Sequence, residues 1–460
     1  MTFASVFNDV LGPVMPGPSS SHTAGSYHIA VTARSLLGER PSQAVFTFDR
    51  DGSYARTYGP QSADKAFAAG LLGRTLTDRR FRRSLDDAER AGLRLVFRVS
   101  KLPRNDHPNM VRIVLTGVSG KTIELLAKST GGGTFAVVES NGRSVRIDGK
   151  SEVRVPGVGT AQPVYIIRKG RPLFGSAAEM ASYARRRRLS LGQAALRYES
   201  RLLGLTEGEA AAEMRRRYGV MAGSAEAGFN PRRARMRLLG PTAHKVLAGA
   251  ERGKLFLGGI PARAAARALA VMHTSAGGGV VCAAPTGGSA GVLPAVAVTL
   301  AREKNCPEPV VIKALFAAGA VGLVFAWRAT FAAEIAGCQV EIGAAGAMAA
   351  AAVVEAAGGT AAQACDAAAI SLQNTMGSVC DLIQGLCEIP CHTRNAAAAV
   401  SAFVCADLIL GGYKNPIPLD ETVDAALSSG KMLPSELRVT SRGGLAAAPS
   451  ARALRVRRGA

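Results

Sequence analysis

From about residue 176 to 410 the chain is so rich in alanine and glycine that one kind of core suits it: helices packed nearly backbone to backbone. In 460 residues there are 52 glycines and one tryptophan, with 5% aromatic but 48% hydrophobic residues, so burial falls to small side chains. A helical stripe runs over 190–203, and Thr206 with Glu209 forms a capping box that opens the next helix. Alanine-rich helices follow, interrupted at Gly287, Gly337, Gly358 and Pro390.

The first third has a different period. Apolar residues concentrate or alternate at 45–48, at Leu93, Leu95, Phe97 and Val99, and over 111–115 and 135–138, which predicts strands. Helical spacing over 26–37, 64–72 and 85–91 separates them, and Gly131, Gly132 and Gly133 predict tight turns. The fold class expected is therefore an α+β N-terminal domain, with a mixed or antiparallel sheet and helices, followed by a mostly α-helical domain. The boundaries read as 1–150 for the first domain, 151–175 for a linker carrying Pro156, Pro163 and Pro172, 176–440 for the second, and 441–460 for a basic, disordered tail. No repeat at solenoid period is present in the sequence.

A formal charge of +22 raises a nucleic-acid or membrane partner. Arginine clusters lie at 185–188, 215–217, 232–237 and 452–458, but no aromatic stacking pattern or nucleic-acid motif accompanies them, so they read as solvated faces. The longest apolar stretch, 314–327, is short for a bilayer and reads as a buried helix, so no membrane partner is expected. Eight cysteines without compact even spacing, and no charged segment leading into an apolar one at the start, point to a reducing cytoplasm.

Two sets of residues stand out chemically. In PGPSSSHTAG, Ser19, Ser20, Ser21, His22 and Thr23 place hydroxyls, backbone amides and an imidazole beside a helix start, where a carboxylate or phosphate can be held. An ordinary N-cap explains part of this run, but not three consecutive serines between two breakers. His107, in the turn DHPN, is a second group titrating near neutrality. His28, His244 and His273 have no comparable context.

The other set is Cys338 in AGCQVEIG, Cys380 in GSVCD and Cys391 in EIPCHTRN, each beside a breaker or polar residue, a placement that predicts exposed thiolates. Three soft ligands suit zinc or an iron-sulfur cluster, yet the separations match neither zinc fingers nor ferredoxins, and buried free cysteines are the plainer reading. Cys282, Cys306, Cys365 and Cys405 are assigned to the core, and Cys387 is ambiguous, four residues before Cys391. The glycine-rich stretch 277–294 lacks the ending of a P-loop, but Thr286 and Ser289 within it can line an anion site.

Taken together, GPVMPGPSSSHTAG, HPNMVRIVL, STGGGTF, APTGGSAGVLPAV, GCQVEIG, VCDLIQGL and IPCHTRN resemble the iron-sulfur-dependent L-serine dehydratases of bacteria over nearly the whole chain, with the family's β and α domains fused in that order. The resemblance implies that Cys338, Cys380 and Cys391 hold a 4Fe-4S cluster with one iron not ligated by cysteine, which takes the substrate's carboxylate and β-hydroxyl. It implies β-elimination from L-serine to pyruvate and ammonia, with His22 or His107 as the base. Ser19, Ser20, Ser21 and Thr23 would bind the substrate, with Asn109, Thr286 and Ser289 as further candidates. It also implies that the serine-histidine loop and His107 meet the cluster where the domains join.

The chain departs from the family pattern in GPQSAD at 59–64, LLGPTAHKV at 238–246, MHTSA at 272–276 and Leu382. These changes touch substrate loops and spare the cysteines, so the same elimination on another β-substituted amino acid, such as cysteine or a specialised precursor, is the alternative. A non-catalytic redox sensor or nucleic-acid binder is a third reading. Some family members end in a cysteine that caps the open iron. The sequence Arg457, Arg458, Gly459, Ala460 is expected to lack that device. The partner expected is a small amino-acid substrate, and a homodimer is left open.

Overall fold

The computed structural model describes residues 3–103 and 105–457. The chain forms two compact units, one from Pro18 to Ile167 and the other from residues up to Gly17 together with Arg168 onward. The chain thus starts in one unit, leaves it and returns.

The first segment makes a π-helical turn at Val6–Val10 and a short strand β1 (Val14–Pro16). In the unit 18–167, the sheet strands are β2 (Pro41–Asp49), β3 (Arg94–Ser100), β4 (Met110–Gly117), β5 (Thr122–Gly131), β6 (Thr134–Ser140) and β7 (Arg143–Ile147). Their order is β3-β2-β4-β5-β6-β7, with β2 and β3 parallel and every other neighbouring pair antiparallel. Alternation sets the register: on β5, Ile123, Leu125 and Ala127 are buried while the residues between them are partly exposed, as a half-buried strand requires. Helices α1 (Gly25–Leu37), α2 (Tyr54–Thr57), α3 (Ala63–Leu71) and α4 (Ser84–Arg90) complete this unit, with Ile29, Ala33 and Phe67 sharing the core of the sheet.

The expected linker is partly structured. Strands β8 (Val153–Val155) and β9 (Gly159–Ala161) pair with each other, and Val155, Val158 and Ala161 join the core of the sheet unit. Prolines masked this segment in the sequence, whereas its few apolar residues hold it in place.

The helical unit contains α5 (Ala177–Arg187), α6 (Leu191–Leu203), α7 (Glu207–Phe229), α8 (Ala243–Glu251), α9 (Gly259–Ala276), α10 (Val292–Glu303), α11 (Glu308–Arg328) and α12 (Ala333–Ala336). It continues with α13 (Ile342–Ala356), α14 (Ala361–Gln373), α15 (Cys391–Leu410), α16 (Leu419–Lys431) and α17 (Pro449–Ala453), and Val280–Cys282, β10, pairs antiparallel with β1. Every residue from Ile342 to Glu355 on α13 is buried, the expectation for a helix apolar on all sides. The segment 3–17 is built into this unit. A side chain at Gly319 or Gly322 of α11 would overlap Val6 or Val10, so those glycines let the first turn lie against the helix.

Buried charges clamp the same segment. Glu199, fully buried, accepts hydrogen bonds from the Ser5 hydroxyl and from the amides of Val6 (2.8 Å) and Phe7 (2.9 Å). Arg217 donates to the carbonyls of Phe7 and Leu11, and its guanidinium lies 4.6 Å over the Phe7 ring. One member of an arginine cluster read as solvated is therefore buried.

Two further expectations change. Residues 441–460 were expected to be disordered, but 441–457 carry a 3-10 turn at Gly444–Ala447 and helix α17, while 458–460 lie outside the described residues. By length and composition α11, the stretch Cys338–Ala356 and α15 are each sufficient to cross a membrane, and their apolar windows are 78%, 94% and 39% buried within the protein. The run at 314–327 looked short because its helix extends beyond the apolar residues on both sides.

Candidate metal centre

Three chain segments converge in the helical unit. Gly337 has φ of +71°, and a side chain there would come within 2.5 Å of the Ser378 carbonyl, so glycine brings Cys338 close enough for its amide to donate to that carbonyl at 2.9 Å. Cys380 is pinned by backbone from the far end of the chain: its amide donates to Leu437 (2.8 Å) and its carbonyl accepts from Val439 (2.9 Å). Next to it, Asp381 accepts from the Leu445 amide at 2.9 Å and pairs with Arg394 at 3.0 Å. Cys391 is the first residue of α15, and Asn395 one turn later donates to the carbonyls of Cys391 and Gly288, both at 2.8 Å, and accepts from the Gly291 amide.

The resulting group is chemically distinctive. The sulfurs of Cys338 and Cys380 and a carboxylate oxygen of Glu341 lie within 4.8 Å of one another. A hydrogen bond with Cys338, then burial, then the charges of Cys338, Glu341 and Cys391 push the Cys380 thiol well above its ordinary pKa. Cys387 is raised likewise, first by its hydrogen bond with Cys391 and then by burial. Burial, followed by the charges of Cys338 and Glu334, holds the Glu341 carboxyl well above the usual range, against a hydrogen bond from Thr286 that lowers it. Arg394 donates to Cys338 Sγ at 3.6 Å.

Soft donors crowded in a low-dielectric pocket repel one another as thiolates, and a bound cation removes that repulsion. The donor set therefore fits a thiolate-ligated metal group.

The thiols were expected to be exposed, but Cys338, Cys380 and Cys391 are all buried, because the breakers beside them turn the chain inward. Of the cysteines assigned to the core, Cys282, Cys365 and Cys405 are buried and Cys306 is intermediate. Thr286 and Ser289 bond each other at 3.0 Å within the loop before α10, and both are buried. Glu388, also buried, accepts from the amides of Arg237, Leu238 and Leu239 at 2.7, 2.9 and 2.8 Å, tying the start of the altered 238–246 stretch to the turn before Cys391.

The remaining candidates belong to the unit 18–167. His22 is fully buried at the π-helical turn Ser20–Ala24, which Ser19 caps. Its Nε2 lies 2.7 Å from Thr57 Oγ1, its Nδ1 lies 3.0 Å from Ser21 Oγ and 3.3 Å from Ser19 Oγ, and Tyr54 meets it edge-on. Thr23 donates to the Gln61 carbonyl at 3.1 Å, and Ser20 is buried. His107 Nδ1 accepts from the Asn109 amide at 3.1 Å, and Asn109 is fully buried.

Sequence reasoning missed Glu341 and His392 and set His273 aside. Glu341 carried a signal, a carboxylate three residues after Cys338 in an otherwise apolar run. His392 and His273 carried only a weak one, each being a histidine in a buried helix. Their rings are 5.4 Å apart, and burial lowers the pKa of His392 to about 3 and that of His273 to about 4.

The fold and the site define a two-unit protein with a buried, thiol-rich pocket in its helical unit. Residues 177–446 match the family described as serine dehydratase alpha chain. The chain is 36% identical over 282 residues to a probable L-serine dehydratase alpha chain of Bacillus subtilis (strain 168), covering 61% of this chain and 94% of that one. It is 30% identical over 467 residues to an L-serine dehydratase of Mycobacterium bovis, covering 94% of this chain and 95% of the relative. It is also 40% identical over 184 residues to the L-serine dehydratase TdcG of Escherichia coli (strain K12), covering 39% and 40%. The chain belongs to the serine dehydratase alpha chain family.

Proposed function

We propose that this protein is an L-serine ammonia-lyase that eliminates water from L-serine, the aminoacrylate formed passing through its imine to pyruvate and ammonia. The observation that supports the reading is the buried pocket in which the sulfurs of Cys338 and Cys380 lie within 4.8 Å of each other and of a Glu341 oxygen, with the charge of Cys391 acting on Cys380. The three cysteines would hold a 4Fe-4S cluster. Bound there with one vertex free of cysteine, it supplies a Lewis acid that weakens the bond from Cβ to the hydroxyl.

The chain's own groups do the rest. Burial keeps water from the thiols. Thr286 orients Glu341 beside Cys338. Arg394, bonded to Cys338 Sγ and paired with Asp381, balances negative charge at the pocket. His22 and His107 are the groups proposed to take the Cα proton, and Ser19, Ser20, Ser21, Thr23, Asn109 and Ser289 are proposed to bind substrate.

Protein purified without oxygen should be brown, carry about four irons and matching sulfide per chain, and release pyruvate from L-serine. Colourless protein after anaerobic reconstitution would end the proposal. His22→Ala should keep its iron and lose turnover by roughly 10²- to 10⁴-fold, the range for a lost general base. An active variant would leave His107 as the base. The departures at 238–246 and 272–276 favour a second reading, the same elimination on another β-substituted amino acid. Iron without pyruvate from serine, but with product from L-cysteine, would select it.

A further inference from the structure

His273 on α9 and His392 on α15 are each 1% exposed. Their ring planes are inclined by 43°. The His273 ring bonds the Gly228 carbonyl, and its Nδ1 has no hydrogen-bond partner among the described residues. Neither nitrogen of His392 has one. Buried polar atoms are nearly always paired, so three unpaired nitrogens on two neighbouring rings point to a hydrogen-bonding group within reach of both.

The donor inventory restricts what that is. A neutral imidazole that gives its N–H to a carbonyl keeps a bare lone pair on the other nitrogen, so His273 Nδ1 is an acceptor. His392 offers one lone pair and one N–H. The complement is a group with at least two N–H or O–H donors beside one acceptor. A carboxylate alone brings no donor and would face the lone pair of His273. The head of an α-amino acid brings three ammonium donors next to a carboxylate oxygen.

The location agrees. His392 directly follows Cys391, and Asn395 of the same helix is bonded to Gly288 and Gly291 in the loop that carries Thr286. His273 lies in MHTSA, one of the stretches where the chain departs from the family pattern. We propose that His273 and His392 form the seat for the α-ammonium group of the amino-acid substrate, with the His392 N–H serving the adjacent carboxylate. This deepens the reading given under Proposed function and rests on its amino-acid substrate.

The test compares two non-eliminable ligands by calorimetry on anaerobically prepared protein: L-alanine, which has the ammonium, and propanoate, which lacks it. The wild type should favour L-alanine by about tenfold or more, since a site built around a hydrogen-bonding group rejects the analogue without it. His273→Phe should erase most of that preference while leaving propanoate binding within about twofold, because it removes one of the two lone pairs that receive the ammonium. His392→Phe should erase most of the preference as well and also weaken propanoate, because it removes the second lone pair together with the N–H that serves the carboxylate. His392→Asn, which keeps an acceptor and a donor, should restore much of it. Iron content and melting temperature equal to wild type show that the variants are folded.

Equal loss of both ligands in His273→Phe, or an unchanged preference in both Phe variants, would overturn the seat and leave the rings bridged by ordinary buried water. A wild type that makes no pyruvate from serine, yet shows the histidine-dependent preference for L-alanine, keeps the seat and loses the serine reading. A wild type that makes pyruvate without that preference does the reverse.

Discussion

At the scale of single residues, the pocket separates cysteines by their neighbours. Cys380 has Cys338, Glu341 and Cys391 acting on it, whereas Cys365 is buried on α14 with burial as the main cause of its pKa of about 12, reinforced by the charges of Asp366 and Asp420. Cys380→Ser is expected to lose bound iron and turnover together, and Cys365→Ser to lose neither, as read by iron analysis and pyruvate release. Equal behaviour of the two would dissolve the ligand assignment. The cysteines stood out in the sequence by their breakers and polar neighbours, but their burial did not, because it depends on backbone from 437–439 closing over 380. Such a contact spans more than fifty residues and leaves no periodic trace.

Among elements, the strands and capped helices were the legible part. Apolar runs and alternation marked β2, β3, β4 and β6 but not β5, and Thr206 with Glu209 does form a capping box at the start of α7. Elements held by a few contacts were not legible: β8 and β9 have three residues each, too short for a period. The sheet unit also contains a pH-sensitive joint. His28 of α1 is buried, its Nδ1 donating to the Gly133 carbonyl at 2.8 Å, and burial lowers its pKa to about 4 against the hydrogen bond that raises it. As pH falls from 6.5 to 4 the unfolded chain takes up this proton first, so stability present above pH 6.5 is lost across that window, by up to about 3 kcal/mol. The protection factors of the β4 and β5 amides, taken relative to the intrinsic exchange rate at each pH, should fall on acidification in wild type and less so in His28→Gln. Identical profiles would assign the acid sensitivity elsewhere.

For the molecule as a whole, the helical unit depends on the segment 3–17. Glu199 is the clearest anchor, its carboxyl raised to about 6 by burial and pulled back by its bonds to Ser5, Phe7 and Val6. Glu199→Ala leaves two buried amides and a hydroxyl without an acceptor and should cost about 2–4 kcal/mol, seen as a lower denaturant midpoint and protease cleavage within 3–17. An unchanged midpoint with an intact segment would show that Arg217 and the Val6 and Val10 contacts suffice. This arrangement was hidden in the sequence because an apolar run at 3–17 reads equally well as the start of the sheet domain.

The interruption of the helical unit by 18–167 has a consequence during synthesis. The ribosome delivers Val6, Phe7 and Val10 first, yet the helices they pack against emerge only after the whole sheet has been made, so a sticky peptide must wait in solution while its neighbour folds. Closing so long a loop is slow relative to local pairing, and in a cell this lag is where a chaperone would find the nascent chain.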